Sequence, residues 1–331
     1  MPYPAPLAEI RRGPLVESRH AGHAVICDAA GEIVEAWGDP AAQVLPRSSA
    51  KMIQALPLIE SGAADAHGLC AERLALACAS HDGAAIHTTR VRAWLDDLGL
   101  ADDDLRCGPQ IPDDDAARHA LIRAHETPCQ VHNNCSGKHA GFLTLARHLG
   151  AGPDYVDPDH PVQRAARAAF EEVTGEPSPG FGIDGCSAPN FITTLHGLAR
   201  AMASFACARE GADARQAAQH RLWQVMVAHP ELVAGEGRAC TELMRAAQEP
   251  VALKTGAEGV YVAILPTRRM GIALKVADGA TRAAECTIAA LLVRLGLLDA
   301  AHPAARRFRD PPITNRRGLE VGSIRPAADF L

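Results

Sequence analysis

The hydrophobic spacing changes period twice along this chain, and that constrains the fold more than any single residue does. His23 to Cys27 and Ile33 to Trp37 read as strands, joined by a Gly-containing turn from Asp28 to Glu32. From Ser48 the spacing is helical: Met52, Ile53, Leu56 and Ile59 recur at helical intervals, and Gly62 ends the segment. Ala-rich helical spacing dominates from about Leu69 to Gln248, with breaks near Cys107 to Pro112, Gly150 to Pro161 and Gly175 to Pro189. Strand spacing returns at Val251 to Lys254, Gly259 to Pro266 and Met270 to Val276, before an amphipathic helix over Thr281 to Leu298. Strands at both ends around a helical block imply an α/β (α+β) chain. One antiparallel sheet forms from the N- and C-terminal parts, and the helical middle covers it. The expected division is a sheet layer at about 8–47 and 250–300 and a helical layer at about 48–249, within one domain over 1–331.

With 331 residues and 47% hydrophobic content the chain has enough apolar material for a sizeable core, which excludes disorder. A net charge of −6 gives no electrostatic reason to expect nucleic acid as a partner. No apolar run is long enough for a membrane span. The opening MPYPAPLAEIRRG lacks the apolar core of a secretory signal, so a cytoplasmic location is expected. In that setting the ten cysteines read as reduced thiols, a few of them available to a metal. The acidic clusters Asp102 to Asp104 and Asp113 to Asp115 read as solvated loop or helix-start residues.

Only four of the 33 basic residues are lysines: Lys51, Lys138, Lys254 and Lys275. A guanidinium stays protonated in a protein, whereas a desolvated ammonium can become a neutral amine. Scarce lysines in an Arg-rich chain therefore mark places where Arg does not serve. Three of the four fall inside local patterns that carry chemistry.

In Ser48-Ser49-Ala50-Lys51 the outer pair is three residues apart, so Ser48 Oγ and Lys51 Nζ share a helical face, and the helix start offers free N–H groups to an oxyanion. A serine hydroxyl becomes a useful nucleophile when a base removes its proton, and a neutral lysine amine can be that base. The alternative is a helix cap followed by a surface lysine. Lys254-Thr255-Gly256 lies on a late strand before the final hairpin. S-x-x-K with K-T-G is the paired signature of serine acyl enzymes of the β-lactamase and penicillin-binding class. A third pattern, Ser80-His81-Asp82-Gly83, follows a buried run. Sequence neighbours point in different directions, so these three residues are not themselves a triad, and Ser80 pairing with Lys254 is the more economical expectation.

The fourth pattern is Asn133-Asn134-Cys135-Ser136-Gly137-Lys138-His139, with Asp184-Gly185-Cys186 further on. Cys135, Lys138 and His139 would share a face if a helix starts here, and Cys186 can complete a zinc-type donor set. The competing reading is that lone cysteines are small core residues. Cys27, Cys70, Cys78, Cys107, Cys129, Cys207 and Cys286 read as filler, and His20, His67, His87, His196 and His220 carry no pattern of their own.

Taken together, PRSSAK at 46–51, CASHDG at 78–83, HNNCSGKHAGF at 132–142, GIDGCSAPNF at 182–191, GRACTELM at 237–244 and LKTGAEGVYV at 253–262 resemble one family. It is the class 3 L-asparaginases, the Rhizobium etli type of the asparaginase II family, and the resemblance runs from about 8 to 324. It implies hydrolysis of L-asparagine to L-aspartate and ammonia, on a serine β-lactamase, penicillin-binding or glutaminase-like fold, in a homodimer. By the same resemblance Ser48 with Lys51 and Ser80 with Lys254 form two Ser-Lys pairs. Cys135, Lys138 and Cys186 would then ligate a zinc ion that assists rather than performs the chemistry.

The expected mechanism is proton removal from Ser48 by Lys51, acylation of Ser48 and hydrolysis of the ester by water. Asp184 is the candidate for the substrate's α-ammonium, and Arg47 and His139 are candidates for its α-carboxylate. The alternatives are a serine-dependent glutaminase, a β-lactamase-like amide hydrolase, for which no S-D-N element is found, and a non-enzymatic zinc-binding thiol protein.

Overall fold

Alternating burial along the terminal strands builds an eight-stranded antiparallel sheet. Its order is Pro312–Thr314, Glu320–Pro326, Ala5–Arg12, Leu15–Cys27, Met270–Val276, Val260–Leu265 and Ala252–Gly256, with Ile33–Trp37 also paired to Leu15–Cys27. Ile272 stands opposite Ile26 on one side and Ala263 on the other. The structure, a computed structural model, describes residues 3–330 and divides into two compact units. The sheet belongs to the first, which holds the chain up to Ser49, Thr193–Cys207 and the chain from Glu242 onward. Every side chain of Val260–Leu265 is buried. Since successive side chains leave a strand on opposite faces, both faces of the sheet are covered there. The helices Leu195–Cys207 and Thr281–Arg294 both pack on this part of the sheet.

This is the mixed α/β class and antiparallel sheet that the periodicity predicts. Three boundaries differ. The sheet does not stop near residue 300, because Pro312–Thr314 and Glu320–Pro326 add strands beyond Ala5–Arg12. One of these strands is only three residues long, and the other intersperses Glu320, Ser323 and Arg325 among few apolar residues, so their apolar signal is weak. Leu195–Cys207, expected in the helical layer, lies directly on the sheet: a Cβ at Gly271 would stand 2.2 Å from the Ala203 nitrogen. The last long helix ends at Arg294 rather than Leu298, because Gly296 adopts a left-handed φ of 68°.

The second unit, Ala50–Ile192 and Ala208–Thr241, is helical. The helix predicted from Ser48 to Gly62 is broken into Lys51–Gln54 and Leu56–Glu60, and a further short helix, Ala63–Ala66, follows Gly62. Pro57 supplies no N–H to continue the first of them. At the centre is Ser136–His148, with every residue from Ser136 to Ala146 buried. It approaches the helix Ala71–Ala77 so closely that a Cβ at Gly137 would sit 2.4 Å from the Leu76 carbonyl oxygen. That contact draws polar side chains at positions 136, 138 and 139 into the interior. Among the described residues, no helix is long and apolar enough to cross a membrane.

Gly271→Ala should overpack the sheet–helix contact and lower stability by about 1–3 kcal/mol. A urea midpoint unchanged from the parent's would show that the helix yields freely.

Candidate active site

The turn carrying the first motif is held by its own backbone. Ser49, fully buried, donates its hydroxyl to the Pro46 carbonyl at 2.8 Å and its N–H to the same oxygen at 3.2 Å. Arg47–Ala50 form a 3₁₀ turn that runs into Lys51–Gln54, so Ser48 precedes Lys51 by three residues in a continuous helical path. Arg47 has a left-handed φ of 54°, a strained conformation for a side-chain-bearing residue, immediately before half-buried Ser48. The glycine of the K-T-G element has a steric role here. A Cβ on Gly256 would lie 2.6 Å from the Pro46 oxygen and 3.2 Å from the Ser49 nitrogen. Only a glycine lets the strand Ala252–Gly256 lie against this turn. On the same strand Lys254 is 1% exposed, and its Nζ donates to the Thr255 carbonyl at 2.9 Å.

Lys51 is also 1% exposed and is surrounded by oxygens. Its Nζ donates to the Ser80 Oγ at 3.0 Å, to the Asn134 carbonyl at 3.4 Å and to the Ala79 carbonyl. Lys51 and Ser80, placed in separate pairs by the sequence reading, are thus direct partners. An ammonium has three hydrogens for these three acceptors, and a free amine has two and a lone pair. Carbonyls cannot donate, so among the three contacts only the one with Ser80 can reverse when Nζ gives up a proton. The Ser80 N–H is itself fixed, donating to the Val233 carbonyl at 2.9 Å.

The remainder of the third motif faces elsewhere. His81, 1% exposed, pairs through Nε2 with the Ser136 Oγ at 2.9 Å, and its Nδ1 accepts the Gly83 N–H at 3.2 Å. Burial, with positive charge on nearby His87, Lys51 and His132 opposing protonation, holds His81 well below the usual histidine range. Asp82 Oδ1 lies 3.1 Å from His87 Nδ1, and it accepts the Ala84 N–H at 3.0 Å. Burial works against its charge, yet the close His87 ring and the Ala84 N–H outweigh it and keep the carboxyl below its ordinary value. His87, without a pattern in the sequence, stacks on His81 with ring centroids 4.8 Å apart.

Cys135, Lys138 and Cys186 converge. Lys138 Nζ donates to the Cys186 sulfur at 3.1 Å, and the Cys135 thiol lies 3.0 Å from Asn134 Oδ1. Cys135 is the residue immediately before the helix, and its carbonyl accepts the His139 N–H at 3.0 Å, while the His139 ring pairs with Tyr155. A hydrogen bond from Cys135 and the Lys138 ammonium hold the Cys186 thiol well below its usual range despite burial. The reciprocal effect, with burial, pushes the Cys135 thiol up to about 12. Burial alone would discharge Lys138, but Cys186, Cys135 and Asp184 outweigh it and raise its value. Two sulfurs and an amine fit a soft divalent ion, and binding one would require Lys138 to lose its proton. Among the described residues there is no cluster of three or more His, Cys, Asp or Glu of metal-binding arrangement.

His139 is fully buried, with Nδ1 2.8 Å from the Tyr155 hydroxyl. That hydroxyl accepts the Arg106 N–H at 2.7 Å, so its single hydrogen is free for His139 Nδ1. The ring proton then resides on Nε2, which has no hydrogen-bond partner in the protein. Asp184, half-buried, accepts the Gly185 N–H at 2.7 Å in a turn closed by the Ser187 N–H to its carbonyl.

Over residues 8–326 the sequence matches the family described as L-asparaginase II. The chain belongs to the L-asparaginase II family. No curated protein matches it. Solved structures similar to it include Mglu in its native form, at 14% identity and a TM-score of 0.45, covering 85% of this chain and 66% of that one. A class C beta lactamase from Rhodobacter sphaeroides has 14% identity and a TM-score of 0.43, with 83% and 94% covered. A putative beta-lactamase from Bacteroides dorei DSM 17855 has 12% identity and a TM-score of 0.41, with 78% and 87% covered. The chain spans just under two thirds of the length of the native Mglu chain.

For this L-asparaginase II family member, sequence reasoning included Asn134 and Ser136 in the fourth pattern without giving either a role of its own, and it did not single out Tyr155. Asn134 offers both a carbonyl to Lys51 and a side-chain oxygen to Cys135, and the adjacent Asn133-Asn134 pair is the signal that marks it.

The thiolate makes a spectroscopic prediction for metal-free protein. Cys186→Ser should remove an ultraviolet thiolate signal at neutral pH, and Lys138→Met should move its onset to higher pH. The folded Cys186 thiol titrates below its unfolded value of about 8.5. Its stabilising contribution is therefore complete above that value and lost as pH falls through the folded one. A parent spectrum without this signal would remove the ion pair.

Proposed function

We propose that this protein hydrolyses the side-chain amide of L-asparagine to L-aspartate and ammonia through a serine acyl-enzyme. One observation carries the reading: in a chain of this family, a fully buried lysine amine lies 3.0 Å from a serine hydroxyl and three residues after another serine. Ser48 is the nucleophile, because it is partly open to solvent on a strained turn. Its proton passes to the free-base form of Lys51 as the Ser48 oxygen bonds to the amide carbon. The carbon–nitrogen bond then breaks, and the departing nitrogen takes up the proton and leaves as ammonia. Water attacks the resulting β-aspartyl ester and returns the proton to Ser48. Ser80 is the contact through which Lys51 exchanges protons, and Lys254 is the second lysine assigned to the reaction.

For the substrate's charged ends, Asp184 takes the α-ammonium and Arg47 the α-carboxylate. His139 is the other candidate for the carboxylate, through its unpartnered Nε2–H, a buried donor that such an oxygen would satisfy. Cys135, Lys138 and Cys186 are the residues that would hold zinc. When bound, the ion supplies positive charge to its surroundings, in an assisting role. A cytoplasmic homodimer is part of the same proposal.

A second reading is favoured by the Lys51–Ser80 bond itself, which would equally serve a Ser80 nucleophile. Glutamine is the competing substrate, and one methylene is worth only about 1–3 kcal/mol in selectivity. Ammonia release should be measured with asparagine and glutamine side by side for the parent, Ser48→Ala and Ser80→Ala. Loss of several orders of magnitude in Ser48→Ala is expected, with an ester on Ser48 trapped from the parent. Near-normal turnover in Ser48→Ala with none in Ser80→Ala would move the nucleophile to Ser80. No ammonia from either substrate would overturn the proposal.

A further inference from the structure

We propose that His81 is the positioning residue of the Lys51–Ser80 pair, acting through Ser136 and the Asn134 carbonyl. The inference rests on the functional reading above, to which it adds a residue that touches neither Lys51 nor substrate. The oxygens around Lys51 Nζ come from two separate stretches of chain, residues 79–80 and residue 134. For Nζ to meet them together, the two stretches must be held in fixed relation.

His81 makes two ties between them. Its backbone N–H donates to the Asn134 carbonyl at 3.2 Å, the same oxygen that Lys51 uses. Its ring Nε2 pairs with the Ser136 Oγ at 2.9 Å, and that hydroxyl donates onward to the Val131 carbonyl at 2.9 Å. The chain of donors has one consistent direction. Gly83 N–H fills Nδ1, so the ring proton is on Nε2 and goes to Ser136, whose own proton goes to Val131. A second proton on Nδ1 would face the Gly83 N–H, so the tie exists for one tautomer of the neutral ring.

The ring is also held from its flat side. His87 stacks on it at an interplanar angle of 8°, and His87 is fixed by Asp82 and by its Nε2, 2.8 Å from the Glu231 carbonyl. The backbone of Gly235 packs against Asp82, since a Cβ there would fall 2.0 Å from its Oδ2. The Ser-His-Asp run is thus a support: Ser80 meets Lys51, His81 locks the acceptor segment, and Asp82 holds the ring stacked on His81.

The test uses the full chain with three single variants and one double. His81→Leu removes both ring nitrogens, Ser136→Ala removes only the side-chain tie, and His81→Gln keeps an amide donor for Ser136. Folding is checked by circular dichroism and the melting temperature, and if His81→Leu does not fold, Ser136→Ala carries the test. Misplacement by about 1 Å costs about 10²-fold in rate, so kcat should fall by about 10- to 100-fold in His81→Leu while KM stays within about twofold. His81→Gln should recover part of the loss. The double variant His81→Leu with Ser136→Ala should be no slower than His81→Leu, because both act on one tie. Crystal structures of the parent and variants read the Lys51 Nζ–Ser80 Oγ separation directly, and it should open beyond about 3.5 Å in His81→Leu and Ser136→Ala. A folded variant that keeps the contact and turns over at the parent's rate overturns the proposal, as does strict additivity in the double. If the parent releases no ammonia from asparagine or glutamine, the functional reading falls. The separation then decides the positioning role alone: opening supports it and a retained contact overturns it.

Discussion

A lysine amine enclosed by protein oxygens is the constraint on which the helical unit's polar organisation depends. Lys51 is almost wholly removed from solvent, so each hydrogen on Nζ needs a protein acceptor, and leaving such a group unpaired costs several kcal/mol. Ala79, Ser80 and Asn134 provide those acceptors. Ser80 is anchored on Val233, and Asn134 receives a second hydrogen bond from His81. An arginine here would present five donors in a rigid plane to three oxygens, with no reversible contact, which gives a physical reason for lysine at this position.

The buried helix Ser136–His148 extends the same logic. A helix enclosed over most of its length is ordinarily apolar, yet this one carries Ser136, Lys138, His139 and Thr144 inside. Each has its own solution. Ser136 relays to Val131, Lys138 pairs with the Cys186 sulfur, Thr144 donates to the Ala140 carbonyl, and His139 satisfies one nitrogen on Tyr155. The nitrogen left over on His139 is the exception, and an unmet buried donor is the feature expected of a surface built to receive a ligand.

Much of this was legible in the sequence. Two periods, strand at the ends and helix between, marked out the antiparallel sheet and the mainly helical middle. The scarcity of lysine singled out Lys51, Lys138 and Lys254, all of which are buried. Less could be read where a long-range contact decides the outcome. The direct contact of Ser80 with Lys51 depends on a chain crossing that spacing does not encode. The pairing of His139 with Tyr155, sixteen residues on, is likewise a contact that local spacing does not encode. The strands after residue 300 carry little apolar signal, because Pro312–Thr314 is three residues long and Glu320–Pro326 has Val321 and Ile324 as its only large aliphatic residues.

The burial of three lysines has a practical consequence for handling the protein. Lys275, half-buried, is the one remaining side-chain amine, and its Nζ already donates to the Glu258 and Val276 carbonyls. Reagents that conjugate or crosslink through lysine will therefore find a nearly blank surface on the folded chain. Immobilisation or polymer attachment by that route would be slow and close to single-site, whereas arginine- or carboxylate-directed chemistry has an abundance of targets.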